Sequence, residues 1–299
     1  DMDSTESSPQ GNASLEGAEF TVKYYNALYD KVSDLPEKAT RTWVIKTIKR
    51  PNGRYIAMLG EQWKVSGDEF YYVDGTITLP IGTMTIQETK APEGYLLDGA
   101  ILEDKNGNTE SIDNGVFITQ IKQNGDTTSV VAGNFPVVRD EVKKHKVEVE
   151  KLSEDKEGVT APLNNAVFTI KLKSEVEEKG WDGASVYDEI TTGNVEGKDG
   201  YAVTKELPYG TYIMRETGTP EGFVRADDIE FTIDKDNSET SKIQHITVTD
   251  KENHIRLYKY DAETDSPLKS AEYLVYNVTR DKEVGRYQTD DSGIIDLYK

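Results

Sequence analysis

Apolar residues in this chain recur at every second position over short runs, which predicts β-strands joined by turns. Val147 and Val149 mark one face of a strand, as do Tyr212 and Met214, and then Ile246 and Val248. Gly, Pro, Asn and Asp cluster between these runs, as in antiparallel sandwiches. Helical periodicity is weak throughout. Its best stretch, Ser174–Lys179, is short and polar and is assigned to a connection. The expected fold class is all-β.

The pattern repeats. A Leu-x-x-Ala-x-(Phe/Tyr) element begins at Leu15, Leu163 and Leu268. Asp74-Gly75 precedes Leu79-Pro80-Ile81-Gly82, Asp199-Gly200 precedes Leu207-Pro208-Tyr209-Gly210, and Asp291-Ser292-Gly293 recurs near the end. A Glu-Thr-x-x-Pro-Glu-Gly-(Tyr/Phe) box occurs twice, from Glu88 to Tyr95 and from Glu216 to Phe223. Such periodicity predicts tandem units: two complete and one partial immunoglobulin-like sandwich. The expected divisions are 1–143, 144–252 and 253–299. Unit one carries a long insertion, 31–73, with Trp43 and Trp63. Unit three stops at Lys299, too early for a self-sufficient core, and is read as an artificial or proteolytic boundary. Asp1–Ser14 likewise reads as a chain cut into.

Three polar residues break the alternation of unit two. Lys151 follows Val147 and Val149, Glu216 follows Tyr212 and Met214, and Asp250 follows Ile246 and Val248. Each is expected to point inward at a strand end, where a charge is costly unless paired. Burial favours the neutral forms of amines and acids alike. A neutral amine is a nucleophile and a carboxylic acid its electrophile, while a second acid can polarise the carbonyl and move protons. The product is an amide, with loss of water. The bland alternative is a satisfied buried salt bridge, and the residue types alone leave both open.

With the box and the Leu-x-x-Ala-x-Phe and Val-x-Val-x-Lys151 strands in view, the units resemble the collagen-adhesin B-type (CnaB) domains. These occur in Gram-positive surface adhesins and pilins, including SpaA-type shafts. The resemblance implies an intramolecular isopeptide bond between Lys151 and Asp250, with Glu216 as the proton-transfer residue. Asp250 stands where the family more often has Asn. Unit one has the box residue Glu88 and the acceptor Asp140, but its lysine is expected before Asp1, and Lys23 lies on the wrong strand. Unit three has the strand Ile255, Leu257, Lys259 without box or acceptor. Glu88, Asp140 and Lys259 are therefore expected to stay unbonded within this chain.

Composition narrows the function. The 299 residues carry 55 acids against 35 bases, a formal charge of −20, with 9% aromatics and mean hydropathy −0.65. That aromatic share argues for small packed cores and against disorder. The charge argues against nucleic acid and anionic lipid, with no Lys/Arg-rich stretch to offset it. With no cysteine there is no disulfide or thiolate chemistry, and no apolar run is long enough to span a membrane. Asp104–Glu110 and Asp234–Ser238 alternate oxygen ligands as calcium loops do, but lack the Gly and closing Glu of an EF-hand, and read as solvated turns. No metal or cofactor is expected. His145, His245 and His254 are expected on the surface, and Leu35–Thr40 is a loop that only superficially resembles a sorting signal. No hydrolase constellation or phosphate loop is visible, so no turnover enzyme is expected.

Two roles remain. One is an extracellular, cell-wall-associated stalk or pilin segment whose partners are neighbouring domains or pilin subunits. The other is an adhesin in which the Trp43/Trp63 insertion binds a host matrix protein or glycan. Exposure of those tryptophans would favour the adhesin, and burial the stalk.

Overall fold

The computed structural model describes residues 9–103, 112–113, 115–123, 137–240, 242–278 and 281–298. Their strands pair in three successive groups that follow the repeats. The first group has β1 (Glu19–Tyr25), β2 (Arg41–Lys46), a hairpin of β3 (Ile48–Lys49) and β4 (Tyr55–Ile56), and β5 (Lys64–Gly67). A second hairpin follows, β6 (Tyr72–Val73) and β7 (Thr76–Ile77), then β8 (Gly82–Lys90), β9 (Tyr95–Glu103), β10 (Ile112–Asp113), β11 (Val116–Ile121) and β12 (Val137–Val142). One sheet runs β10-β11-β8-β1-β2-β5, and β12 pairs with β9.

The second group has β13 (Lys144–His145), β14 (Val147–Glu154), β15 (Thr160–Pro162), β16 (Val167–Leu172), β17 (Val186–Thr191), β18 (Gly193–Val195) and β19 (Lys198–Val203). It continues with β20 (Leu207–Pro208), β21 (Gly210–Gly218), β22 (Phe223–Val224), β23 (Ile229–Ile233) and β24 (Gln244–Glu252). One layer is β18-β19-β14-β24-β22 and the other β17-β16-β21-β23. Between them lie Val147, Val149, Phe168, Ile170, Tyr212 and Met214, each at most 1% exposed. Burying a side chain of this kind contributes about 1.5–3 kcal/mol, so this core dominates the unit's stability. The third group pairs β25 (His254–Tyr258) with β28 (Ile294–Tyr298), and β26 (Glu272–Asn277) with β27 (Lys282–Gln288). The chain is all-β, as its alternation demands.

One helix departs from the sequence expectation. The stretch Ser174–Lys179 is part of a helix, Lys173–Gly183, inserted between β16 and β17 and interrupted at Gly180 (φ 74°). The Lys171 ammonium holds its far end, donating to the carbonyls of Trp181 (2.7 Å) and Ala184 (2.9 Å). Those tertiary bonds, together with Lys–Glu pairs four residues apart, supply what amphipathic periodicity does not.

The Leu-x-x-Ala element has a physical reason that spacing alone does not reveal. A threonine on a neighbouring stretch donates its hydroxyl to the Leu carbonyl and accepts the Ala N–H. The sets are Leu15/Ala18/Thr47, Leu163/Ala166/Thr192 and Leu268/Ala271/Thr289. The residue before each Ala is left-handed: Gly17 at φ 87°, Asn165 at 67° and Ser270 at 57°. Gly, Asn or a small polar residue tolerates that conformation best.

Trp43 is fully buried and Trp63 is 8% exposed, both in the core of unit one. The expected insertion therefore presents neither tryptophan to a partner. Its strand β2 also takes the place that β17 takes in unit two, since Ile45 faces Phe20 as Ile190 faces Phe168. His145 is a correction: it is buried, with Nδ1 2.7 Å from the Lys146 carbonyl, because β13 folds onto β20. His245 and His254 are on the surface, beside Glu148 and Glu150 and beside Asp296 respectively. The Leu35–Thr40 run is a loop after a single helical turn, Val32–Asp34.

Candidate crosslink site

The box explains how the site is assembled. Its Glu ends the inward face of β8 or β21, and its Pro-Glu-Gly closes a β-turn. Tyr95 N–H donates to the Pro92 carbonyl (3.2 Å), and Phe223 N–H to that of Pro220 (3.3 Å). Gly94 and Gly222 sit at φ 86° and 93°, as the third position of a type II turn requires. The turn returns the chain so that Tyr95 meets Val142 on β12, and Phe223 meets Glu252 on β24. Two residues before each of those partners stands an acid, Asp140 or Asp250. Glu88 faces Phe20, and Glu216 faces Phe168, each at a bulge. The two sites are built alike.

In unit two, β14 and β24 run parallel with Lys151 opposite Val248 and Ser153 opposite Asp250. Lys151 and Asp250 are thus diagonal neighbours on the inner face, and Glu216 reaches them from the facing layer. All three side chains are sealed from solvent. The Lys151 ammonium lies 3.2 Å from Glu216 Oε2 and donates a hydrogen bond to Asp250 Oδ1. It also sits 5.4 Å from the centre of the Phe168 ring. Glu216 Oε2 accepts the Ala226 N–H at 3.1 Å, while Glu216 Oε1 and Asp250 Oδ2 have no hydrogen-bond partner among the described residues. Burial pushes the Glu216 carboxyl above its ordinary range, against the Ala226 N–H and the lysine, which pull it down. An acid that keeps its proton beside an amine and a second acid can catalyse condensation.

In unit one, Glu88 and Asp140 face each other without a lysine. No lysine among the described residues pairs with either acid, and neither Glu88 oxygen nor Asp140 Oδ1 receives a bond from a donor group. Lys23 lies on the outer face of β1, between the inward Val22 and Tyr24. Burial first, then the Asp140 charge, push Glu88 up to about 8, and burial also raises Asp140. The pair is hydrogen-bonded only while one acid holds a proton.

In unit three, Lys259 occupies the lysine position. Leu268 N–H donates to its carbonyl as Leu163 N–H does to that of Lys151, and Gly293 packs there as Gly200 does. No acid joins it among the described residues. In the Asp234–Ser238 run, Asp236 accepts from the Ser238 and Lys144 N–H groups, as a structured turn does. Asp104–Glu110 lies outside the described residues.

Residues 142–247 match the SpaA family, a prealbumin-like fold domain. The match falls on the second group of strands. No curated protein matches the chain. Among solved structures, the Bacillus anthracis TIE protein is similar over 96% of this chain at 21% identity, with TM-score 0.43, and the chain spans 41% of that protein. The minor pilin GBS52 of Streptococcus agalactiae is similar over 83% of this chain and 88% of its own, at 14% identity and TM-score 0.31. A C-terminal fragment of the pilus adhesin SpaC from Lactobacillus rhamnosus GG is similar over 83% and 92%, at 17% identity and TM-score 0.34. The matched residues include the strands that carry Lys151 and Glu216, and the match ends three residues before Asp250.

Proposed function

We propose that this chain is an extracellular stalk or pilin segment of a Gram-positive surface, whose SpaA domain is closed by an amide between Lys151 and Asp250. The observation that carries this reading is the convergence of Lys151, Glu216 and Asp250 in a sealed interior. The ammonium passes a proton to the Asp250 carboxylate, and the freed amine attacks Cγ. Protonated Glu216 polarises the carbonyl and relays protons as the tetrahedral intermediate collapses. The Nζ–Cγ bond forms, a Cγ–O bond breaks, and one water leaves. The reaction happens once per molecule, so nothing is turned over.

The mechanical consequence follows from the parallel pair. A load entering at Val147 would cross from Lys151 to Asp250 and leave at Glu252, so residues 152–249 would carry none. At about 3.3–3.6 Å per residue, the length withheld from extension is on the order of 330 Å. With no cysteine in the chain, such a bond does the work disulfides do in other secreted domains. We divide the chain at 143/144 and 252/253, and take neighbouring modules or pilin subunits as partners. Among the described residues no helix is long and apolar enough to cross a membrane. The adhesin alternative loses its proposed contacts, because Trp43 and Trp63 are buried.

Intact mass of the folded chain tests the bond. The expected value is the sequence mass less one water, restored to the full sequence mass in Glu216→Ala. An unmodified wild-type mass would end the proposal.

A further inference from the structure

The charge argument against polyanions holds for the chain as a whole and fails at one place. Residues 38–60 contain six basic residues and no Asp or Glu, in a chain with 55 acids among 299 residues. This acid-free run centres on the β3–β4 hairpin of unit one. Ile48 and Ile56 are paired and pack toward the core, and in the next pair Lys49 is exposed while Tyr55 is half-buried. The Lys49 ammonium lies 5.8 Å from the centre of the Tyr55 ring. Arg50 N–H donates to the Arg54 carbonyl at 2.7 Å, which places two arginines side by side at the turn. The Arg50 guanidinium is 5.9 Å from the Trp63 ring centre, and Lys46 N–H donates to the Trp63 carbonyl. Arg50 and Arg54 are thus adjacent at the turn with Lys49 beside them, and the main chain of Lys46 is joined to the same tryptophan.

Lys46, Lys49 and Arg50 are exposed, and none has an ion-pair partner among the described residues. The nearest acid across the strands, Glu19, is opposite Lys46 but bonded to Lys90 at 2.9 Å. Glu61 accepts the Tyr72 hydroxyl. In a chain of charge −20, unpaired cations of this density set up a local potential opposite in sign to the rest of the surface.

We propose that the β3–β4 hairpin is a binding surface for a sulfated polysaccharide. Arginine forks and ammonium groups meet sulfate groups, and the half-buried Tyr55 beside Lys49 adds an aromatic edge to the basic surface. A sugar polymer fits better than a nucleic acid, because a duplex carries a charge every ~1.7 Å and would meet the surrounding acids as well as the hairpin. The inference is independent of the crosslink.

The test is titration of the full chain with heparin at low salt, compared with Lys49→Glu/Arg50→Glu and with Lys205→Glu/Lys242→Glu. Both variants change the net charge equally, so only position differs. The hairpin variant is expected to lose at least tenfold in affinity and the control less than threefold, with unchanged thermal unfolding in both. No binding by the wild type, or equal loss in both variants, overturns the proposal. Equal affinity for single-stranded DNA or fully desulfated heparin overturns the sulfated-glycan assignment. Salt-sensitive self-association lost only in the hairpin variant, without heparin binding, would name a second copy as the occupant instead.

Discussion

Units one and two place a box glutamate and a last-strand aspartate at equivalent positions, yet among the described residues only unit two puts a lysine between them. In unit two the Lys151 charge lies beside both acids and the Ala226 N–H supports Glu216. In unit one, burial and mutual repulsion act unopposed, and Glu88 is driven to about 8. The same scaffold thus holds either two acids with a lysine or an acid pair that needs a proton. A cation determines which.

The largest expected effect breaks the comparison at unit two. Removing Glu216 as Glu216→Ala should leave the bond unmade and take away a constraint worth on the order of 4–5 kcal/mol, by analogy with a disulfide closing a loop of about 100 residues. At ~4–8 °C per kcal/mol for a domain of this size, calorimetry should show unit two unfolding on the order of 20 °C lower. The equivalent Glu88→Ala should leave the deficit of one water relative to its own sequence unchanged. A Glu216→Ala protein that melts as the wild type does would remove the mechanical argument.

Next comes pH, which acts on unit one. Glu88 is raised in the folded state, so its contribution is fully present below its ordinary 4.5 and is lost as pH rises through about 8. The change is at most on the order of 5 kcal/mol. Unit one should therefore weaken from mildly acidic to mildly alkaline pH, and Glu88→Gln should flatten that slope. A slope unchanged by Glu88→Gln would mean that the acid pair is not the titrating element.

A smaller effect sharpens what the units share. Thr192→Val and Thr47→Val each remove a hydroxyl that both donates and accepts, at a cost of about 1–3 kcal/mol. The loss should be similar in the two units, because the staple is present in both. If only Thr192→Val destabilises, the staple serves the crosslink and not the fold. Smallest is Lys143→Ala, which breaks a partly exposed pair with Glu239 at 2.8 Å. Urea denaturation should show a change under about 1 kcal/mol.

How much of this could be read from the sequence depends on how far apart the interacting residues lie in the chain. Period-two alternation fixed which side of each strand faces inward, and three repeats fixed where the strands recur. Lys151, Glu216 and Asp250 were therefore legible as inward polar residues at strand ends, and Glu88 with Asp140 as their counterpart. The threonine staples left a faint trace: each Thr ends or follows a strand opposite a Leu-x-x-Ala element, but nothing local marks it as a partner. The helix Lys173–Gly183 was underestimated because Lys171 and Arg215 hold it from outside, the Arg215 guanidinium lying 3.9 Å from the Trp181 ring centre.

Strand faces and repeat positions belong to the sequence itself, because they follow from backbone geometry over a few residues. Only the tertiary structure decided that His145, Trp43 and Trp63 are buried, and that units one and two meet through Asn12. The Asn12 N–H donates to the Tyr209 carbonyl, its amide oxygen accepts the Thr211 N–H, and Tyr209 bonds Glu93. Gly94 lets the Tyr209 ring approach, since a Cβ there would lie 2.7 Å from it. Asn12 and Thr211 are 199 residues apart. No periodicity spans such a distance: the contact exists because two finished surfaces fit, and a surface is complete only after the strands beneath it have packed.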